Sequence, residues 1–464
     1  MMIAARIWGN SVAGRGVAFL FGCLMVVSAL AWAGVATKGE THQPGADGAA
    51  VVDAAQFESL QAAVDALPDG GGVVRLGPGR FEIAAPLRLS RGDVMLQGAG
   101  TATHIVNLNE QGEPALVIQP PEGTKSLWRV QLTDFRVTGN PKSGCGIYAK
   151  SVDEFLVSRV AVEHNGGDGI LMDHCYEDPR ICDSLMNYNA GTGLNLVGCH
   201  DIVVSANQFE ENVDALHCID GYNLTMTGNN LDDHLGNGVV IENTYGSIVA
   251  SNMIEECNGH AVVLKGACYG DAVSANTLAH CQGEGVRLVG VRDITISANT
   301  FVLFAGPAVH TVEGACQITI TGNTFNRYPF DPTKRHKIDP GQGILLEGTR
   351  DVTVCGNTFT SVYREAIKVR GEAVVRISIT ANTILNPSQA EPGAHAAIAL
   401  ENVSSSVIAN NIVTDDQPEP KMKRAILFEG ACNGNVVLGN IISGDPAGLD
   451  VPGEGNEVGM NLVN

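Results

Sequence analysis

Aromatic residues are scarce, at 5% of the 464-residue chain, and charged residues reach only 17%. That charge content excludes both an intrinsically disordered chain and a long coiled coil. Positive charge is the scarcer sign: 29 Lys and Arg stand against 50 Asp and Glu, for a formal balance of −21. Such a surface repels phosphate backbones, so no nucleic-acid partner is expected. Paired CxxC motifs are missing, which argues against a structural zinc site, and no organic cofactor is expected. The chain has one long apolar run, Val17 to Leu30. It is short for a membrane span of about 20 residues.

That run belongs to an address. Arg6 and Arg15 give a positive start, and Ala31-Trp32-Ala33 offers a small-x-small cleavage pattern. Residues 1–33 are therefore expected to be a signal peptide and 34–50 a flexible leader. The mature chain is expected to be exported, periplasmic or extracellular, with no membrane span. Removing Cys23 leaves eleven of the twelve cysteines, so at least one must be free or pair between chains. Cys175 and Cys182 are close enough in sequence to bridge. Cys175 with Cys199, and Cys257 with Cys281, recur at repeat spacing, which suits stacked, buried, reduced thiols.

Self-similarity is the strongest signal and overrides any domain count drawn from length. Val-Ser-Ala-Asn-Gln-Phe (204–209) returns as Met-Thr-Gly-Asn-Asn-Leu (226–231), Val-Ala-Ser-Asn-Met-Ile (249–254) and Val-Ser-Ala-Asn-Thr-Leu (273–278). Asn207, Asn229, Asn252, Asn276, Asn299 and Asn323 mark the copies at intervals of 22 to 24 residues. Later copies fall at Asn357, Asn382, Asn410 and Asn440; Asn140 fits the same slot, with Val160 and Ser184 as degenerate copies. Each copy holds short alternating strands rich in Val, Ile and Thr, which reads as β. One such copy is one turn of a parallel solenoid, its asparagine turned inward in a ladder. The next apolar residue (Phe209, Leu231, Ile254, Leu278, Phe301, Phe325) stacks in the core. A single coil cannot bury its own face, so the array is one domain.

Phe57 to Leu67 has helical spacing and ends before Pro68; Gly-Gly-Gly-Val-Val-Arg-Leu-Gly-Pro-Gly-Arg-Phe-Glu-Ile (70–83) then begins the β part. With the asparagine repeats, these segments resemble the pectate-lyase-like right-handed parallel β-helix superfamily over about residues 52 to 445. The resemblance implies an all-β, single-stranded right-handed parallel β-helix of about 13 coils with an N-terminal capping helix. Residues 51–126 would be the cap and first coils, 127–445 the repeats and 446–464 a C-terminal tail or cap. The superfamily holds lyases, hydrolases, fructotransferases, uronan epimerases and phage tailspikes, so fold alone names no activity.

Aligning coils by their asparagines turns the sequence into columns about 4.8 Å apart along the axis. One outward column reads Glu163, Met186 or Asn187, Glu210, Asp232, Glu255, Ala279; the next position adds Glu211, Asp233 and Glu256. Six carboxylates thus share one edge over three coils. A further column runs Asp168, Thr192, Asp214, Asn237, His260, Glu284, with outward neighbours Asn195, His217, Val240, Val263, Arg287 and His310. Farther along the same strands stand Asp173, Glu242 and Lys265.

Stacked like charges repel, so a fold does not gather them for stability. Glycosidic chemistry uses them: one carboxyl protonates the leaving oxygen while another acts as base or nucleophile, at separations of roughly 5 to 10 Å. Crowding raises one pKa, as a general acid needs. Asp214, Asp232 and Asp233 are the acid/base candidates, with Glu242 a further one. His217, His234, His260, Lys265, Arg287 and Tyr328 are expected substrate contacts. Ca²⁺, which takes six to eight oxygen ligands, is the other use of such a cluster, with Glu210, Glu211, Glu255 and Glu256 as ligands. The same edge also reads as a plain solvated acidic surface.

Lys265 and Arg287, in adjacent coils, resemble the Lys/Arg pair of the chondroitinase B and alginate-lyase family, with shifted spacing from their glycines. The Asp-Pro-His-Asp motif of mannuronan epimerases is absent; Asp232-Asp233-His234 is similar to part of it. The insertion 327–337 is basic and carries Tyr328 and Phe330. It suits a groove wall that stacks on sugars, or an oligomer contact. The expected protein is an exported polysaccharide-active enzyme, a monomer or homo-oligomer, whose partner is a polysaccharide or oligosaccharide. A Ca²⁺-assisted lyase or uronan C5-epimerase, and a non-catalytic glycan-binding solenoid, are the alternatives.

Overall fold

The computed structural model describes residues 50–302, 304–326, 341–444 and 448–464. The expected signal peptide, almost all of the leader, and Tyr328 with its insertion lie outside the described residues. So does the boundary near 445–447.

The repeat phrase closes into a coil for a local reason. In one copy the chain runs through Val203–Ser205, Gln208–Glu210 and Leu216–Ile219, then returns at Thr225–Thr227. The residue before the asparagine is left-handed: Ala206 at φ 56°, Ser251 at 57°, Ala275 at 54°, and glycine at Gly228 and Gly322. That one residue turns the corner between the first two strands, at a cost of about 1–2 kcal/mol where it has a Cβ. The asparagine behind it offsets the cost. Asn276 donates from Nδ2 to Oδ1 of Asn299 at 3.0 Å and to the carbonyl of Val249 at 2.9 Å, and its Oδ1 accepts the backbone N–H of Asn252. The ladder runs in this way from Asn207 to Asn461, and its members up to Asn440 are buried.

Successive coils pair in parallel. Val203 faces Thr225, Gln208 faces Asn230 and Leu216 faces Val239. Two strands per coil form a long wall, and the third forms a second wall of 15 strands. The core between them is continuous from Ala54 to Ile442, and in it Phe301, Phe325 and Phe359 stack at 4.8 and 4.4 Å with nearly parallel rings. No helix among the described residues is long and apolar enough to cross a membrane.

Several sequence expectations need correcting in detail. Fifteen strands in the second wall exceed the expected 13 coils, because the first coils carry no asparagine at the ladder slot. Phe135 pairs with Val160 and fills that slot; Asn140 lies in a different turn, where its Nδ2 bonds the carbonyls of Asn107 and Asn109. At the other end Asn411, one residue later than expected, joins the ladder, while Asn410 takes the left-handed corner at φ 56°. The helix is shorter, Leu60–Asp65, because the hydroxyl of Ser59 accepts the N–H of Ala62 and so fixes the start. Cys175 and Cys182 do not bridge: Cys175 points into the core toward the carbonyl of Ala149, and the described cysteines are all free thiols. Beyond the last repeat, Glu457–Gly459 and Leu462–Val463 extend the long wall by further strands.

Candidate functional site

The register sets the acidic columns. Glu163 pairs with Asn187, Asn187 with Glu210, and Glu210 with Asp232; Glu255 pairs with Ala279. Asn187, not Met186, therefore belongs to the outward column. The following residues, Glu211, Asp233, Glu256 and His280, are left-handed at φ 48° to 57°, which turns them away from the strand at the corner. The carboxylates of Asp232, Asp233 and Glu256 offer oxygens all within 4.8 Å of one another, and so do Glu255, Glu256 and His280 with one ligand atom each.

This crowding has a titration consequence. Burial, then the charges of Asp233, Glu256 and Glu210, hold the Asp232 carboxyl above its ordinary range. Glu255 is raised in the same way by burial, then by Asp232, Glu256 and Asp233. An edge of this kind keeps protons on part of its carboxyls, or takes a cation, because both relieve the same repulsion.

Around the corner, the next column works differently. Asp168 accepts the N–H of Thr192 at 2.7 Å, Asp214 that of Asn237 at 2.5 Å, and Asn237 that of His260 at 2.9 Å. His260 then accepts the N–H of Glu284 through Nδ1 at 3.0 Å, so the ring is neutral, consistent with burial lowering its pKa. Asp214 thus serves as a backbone cap of the next coil.

The outer face of the second wall carries ion pairs. Glu242 lies 2.8 Å from Lys265 and 3.5 Å from His217, and the Lys265 hydrogen bond outweighs burial to lower its pKa. The His217 contact is an ion-pair distance without hydrogen-bond geometry, since its Nε2 makes no hydrogen bond. Glu242 is therefore an ionised carboxylate rather than an acid. Arg287 meets both oxygens of Glu284 at 2.9 and 3.0 Å, and His310 lies between Glu284 (2.7 Å) and Glu347 (2.9 Å). Glu347 also pairs with Arg370. Farther on, Glu365 is bonded by Gln342 at 3.0 Å and lies 3.4 Å from Lys368 and 3.3 Å from His395.

His234 is the clear correction among the expected contacts. It is fully buried, as the fourth member of a second inner ladder: Asn165 bonds Asn189, Asn189 bonds Asn212, and the Asn212 N–H donates to His234 Nδ1. Burial lowers its pKa to about 4. It cannot touch a substrate from there. Glu347, Glu365, Lys368 and His395 escaped the sequence reading because the insertion after Asn326 breaks the spacing that aligns the columns. A count resumed from Asn357 would have found them.

The model of the periplasmic copper-binding protein family NosD matches residues 129–330, less than half of the chain. A tailspike of E. coli bacteriophage HK620, solved with a pentasaccharide, is 14% identical, with 82% of this chain and 71% of that one aligned at a TM-score of 0.53. Tailspike protein 3 of bacteriophage CBA120 is 12% identical, with 73% of this chain aligned at a TM-score of 0.52. The chain spans 61% of that tailspike's length. No curated protein matches in sequence. What these likenesses share with the chain is the fold, a parallel β-helix. Identity this low speaks to the fold alone.

The matched family is named for copper. The two clusters share Glu256 and together offer four carboxylates and one imidazole. The described thiols are buried or half-buried, and burial pushes Cys145 up to about 12. Copper favours imidazole, thiolate and thioether donors, whereas carboxylate oxygen suits hard cations. Among the described residues, these clusters do not fit copper.

Proposed function

We propose that the protein is an exported, polysaccharide-active enzyme that cleaves glycosidic bonds by carboxylate acid/base chemistry on its acidic edge. One observation carries this reading: Asp232, with a raised pKa, stands beside Asp233 and Glu256 with oxygens within 4.8 Å. Glycoside hydrolysis needs such a pair, one carboxyl protonated and one ionised. In this reading Asp232 protonates the leaving oxygen. Asp233 acts on the anomeric carbon, as nucleophile or through water. The row of His217, Glu242, Lys265 and Arg287 lines the adjoining face and binds sugar hydroxyls or a uronate. The tailspike that shares the fold was solved with a pentasaccharide, which supports a glycan as the partner.

The donor clustering favours a second reading, a Ca²⁺-assisted lyase or uronan C5-epimerase. Glu210, Glu211, Glu255 and Glu256 would then hold the cation together with Asp232 and Asp233, and Lys265 and Arg287 would neutralise the uronate. Digestion of a glycan panel, read by product mass, reducing ends and ultraviolet absorbance, separates the readings. New reducing ends without absorbance mark hydrolysis. An unsaturated uronate product marks a lyase, and altered sugar composition without cleavage marks an epimerase. No change in any glycan overturns the enzymatic reading and leaves a binding solenoid.

A further inference from the structure

A column of rings climbs the corner that returns the chain from the second wall to the first. Tyr176 and His200 lie 4.4 Å apart, His200 and Tyr222 4.4 Å, Tyr222 and Tyr245 4.7 Å, and Tyr245 and Tyr269 5.4 Å. Arg292 closes the top, 4.5 Å above Tyr269. Each ring touches the next, tilted by 19° to 61°, so along this ladder no gap is left between neighbours.

The bottom is different. Trp128 pairs in register with Asp153 of the next coil, and Glu154 in that coil bonds the carbonyl of Tyr176 in the one after. Trp128 and Tyr176 are therefore two coils apart, roughly 10 Å, with a short aspartate at the level between them. Arg129 lies 5.9 Å from the Trp128 ring and pairs with Asp93 in the coil below, so it covers Trp128 from that side. His200 covers Tyr176 from above. Trp128, Asp153 and Tyr176 all line one cleft of about 470 Å³. A flat ring in van der Waals contact with both walls needs about 7–8 Å.

Asp153 makes this a built site. It lines the cleft, is only 6% exposed, and its Oδ1 has no hydrogen-bond partner. A buried carboxylate oxygen left alone is costly unless something donates to it. Lys125, Lys150 and Glu177 complete the polar wall. Asp173 positions that wall from behind, 3.0 Å from Lys150 and against His174 Nδ1. Lys150 is already paired with Asp173, so the cleft presents both donors and acceptors without a net positive charge, which suits an uncharged, hydroxyl-rich ligand.

We propose that the cleft between Trp128 and Tyr176 is a second, non-catalytic saccharide site that holds one neutral pyranose unit. The sugar's C–H faces lie on the two rings, one hydroxyl donates to Asp153 Oδ1, and Lys125 donates to another. The site is independent of the acidic edge.

Binding of the full chain to an array of neutral, acidic and amino glycans tests this, followed by calorimetry with the best neutral hexasaccharide. Saturable binding of a neutral glycan is expected. Trp128→Ala and Tyr176→Ala should each weaken it at least tenfold with an unchanged melting curve, and Asp153→Asn should weaken it as well. Trp128→Phe, which keeps an aromatic face, should recover most of the affinity and so exclude a folding defect. Asp233→Asn should leave this binding untouched, so failure here and failure of the proposed enzymatic activity are separate results. No neutral glycan bound, affinity unchanged in the two alanine variants, or binding confined to choline or another cation would each overturn the proposal.

Discussion

His310 Nδ1 lies 2.7 Å from Glu284 Oε1 on the outer face of the second wall, in a contact that joins adjacent coils. Burial alone would lower the imidazole's pKa, but Glu284 and Glu347 on its two nitrogens outweigh that and hold it above its ordinary value. Both carboxylates are held low despite burial, by His310 and their arginines. The sign follows from linkage. The histidine's contribution is fully present below pH 6.5 and is lost as pH rises through its raised pKa. The carboxylates contribute above pH 4.5 and lose that on acidification. His310→Gln should therefore cost on the order of 1–3 kcal/mol at pH 6 and less at pH 9. Chemical denaturation at both pH values checks this, and equal deficits would contradict it.

Asp271 has the opposite character. It is 2% exposed, one oxygen accepts the N–H of Ser247 at 2.7 Å, and the other has no partner. Burial raises its pKa to about 6. A raised carboxyl stabilises the fold fully below its unfolded value near 4, and that contribution is lost as pH rises to about 6. Asp271→Asn keeps the acceptor for Ser247 and removes the charge. The variant should be more stable than wild type at pH 8, by on the order of 2 kcal/mol, and no more stable at pH 4. A destabilised variant at pH 8 would refute the reading of an uncompensated carboxylate.

How much of this was legible in the sequence depends on whether a residue repeats. Asn207 to Asn323 announced the coil because a ladder demands the same amide at every level, and the stacked Phe301 and Phe325 followed from it. The columns of Glu210, Asp232 and Glu255 followed too, since register carries spacing into space. His234 did not. An outward acid and an inward histidine stand side by side at 233 and 234, and only the Asn165, Asn189, Asn212 series at the same slot reveals that the second points inward. The pairing of His310 with Glu347 was hidden for another reason: 37 residues separate them, across the insertion. The vacancy in the aromatic column at Asp153 had no signal, because it depends on what the neighbouring coils place beside it.

The acidic edge makes a kinetic prediction. With Asp232 as the acid and Asp233 as its partner, Asp233→Asn should lower activity on the cleaved glycan at least about a hundredfold. Asp232→Asn should do the same and also remove the loss of wild-type activity as pH rises through the raised Asp232 pKa. Asp214→Asn should lower activity less, because its carboxylate caps Asn237. Full activity in the first two variants would move the chemistry away from this edge.

Cation binding at the same edge is testable without a substrate. Ca²⁺ at a hundred times its dissociation constant should stabilise the fold by about 2.7 kcal/mol, read as a raised melting temperature reversed by chelator. The raised carboxyls of Asp232 and Glu255 make the effect weaken on acidification, as protons compete with the metal. A triple change, Asp232→Asn with Glu255→Gln and Glu256→Gln, should abolish the shift. A shift that survives it would place the ion elsewhere.

The inner ladder gives the sharpest stability test, because three coils of asparagine show what the slot prefers. His234 occupies the fourth level with its Nε2 buried and unpartnered, and burial lowers its pKa to about 4. A histidine whose folded pKa is depressed contributes nothing adverse above pH 6.5. As pH falls from there toward 4, the unfolded chain takes up a proton that the folded one refuses. The fold should lose on the order of 3 kcal/mol over that window. His234→Asn restores the amide found at Asn212, which can accept the same N–H, and carries no titrating group. Its stability should therefore change less between pH 7 and pH 4.5 than that of the wild type. His234→Ala, which also loses the acceptor for Asn212, should be less stable than wild type at pH 7 but share the reduced acid sensitivity. If all three proteins lost stability in parallel on acidification, the acid lability would belong to other groups, and the buried histidine would be ruled out as its source.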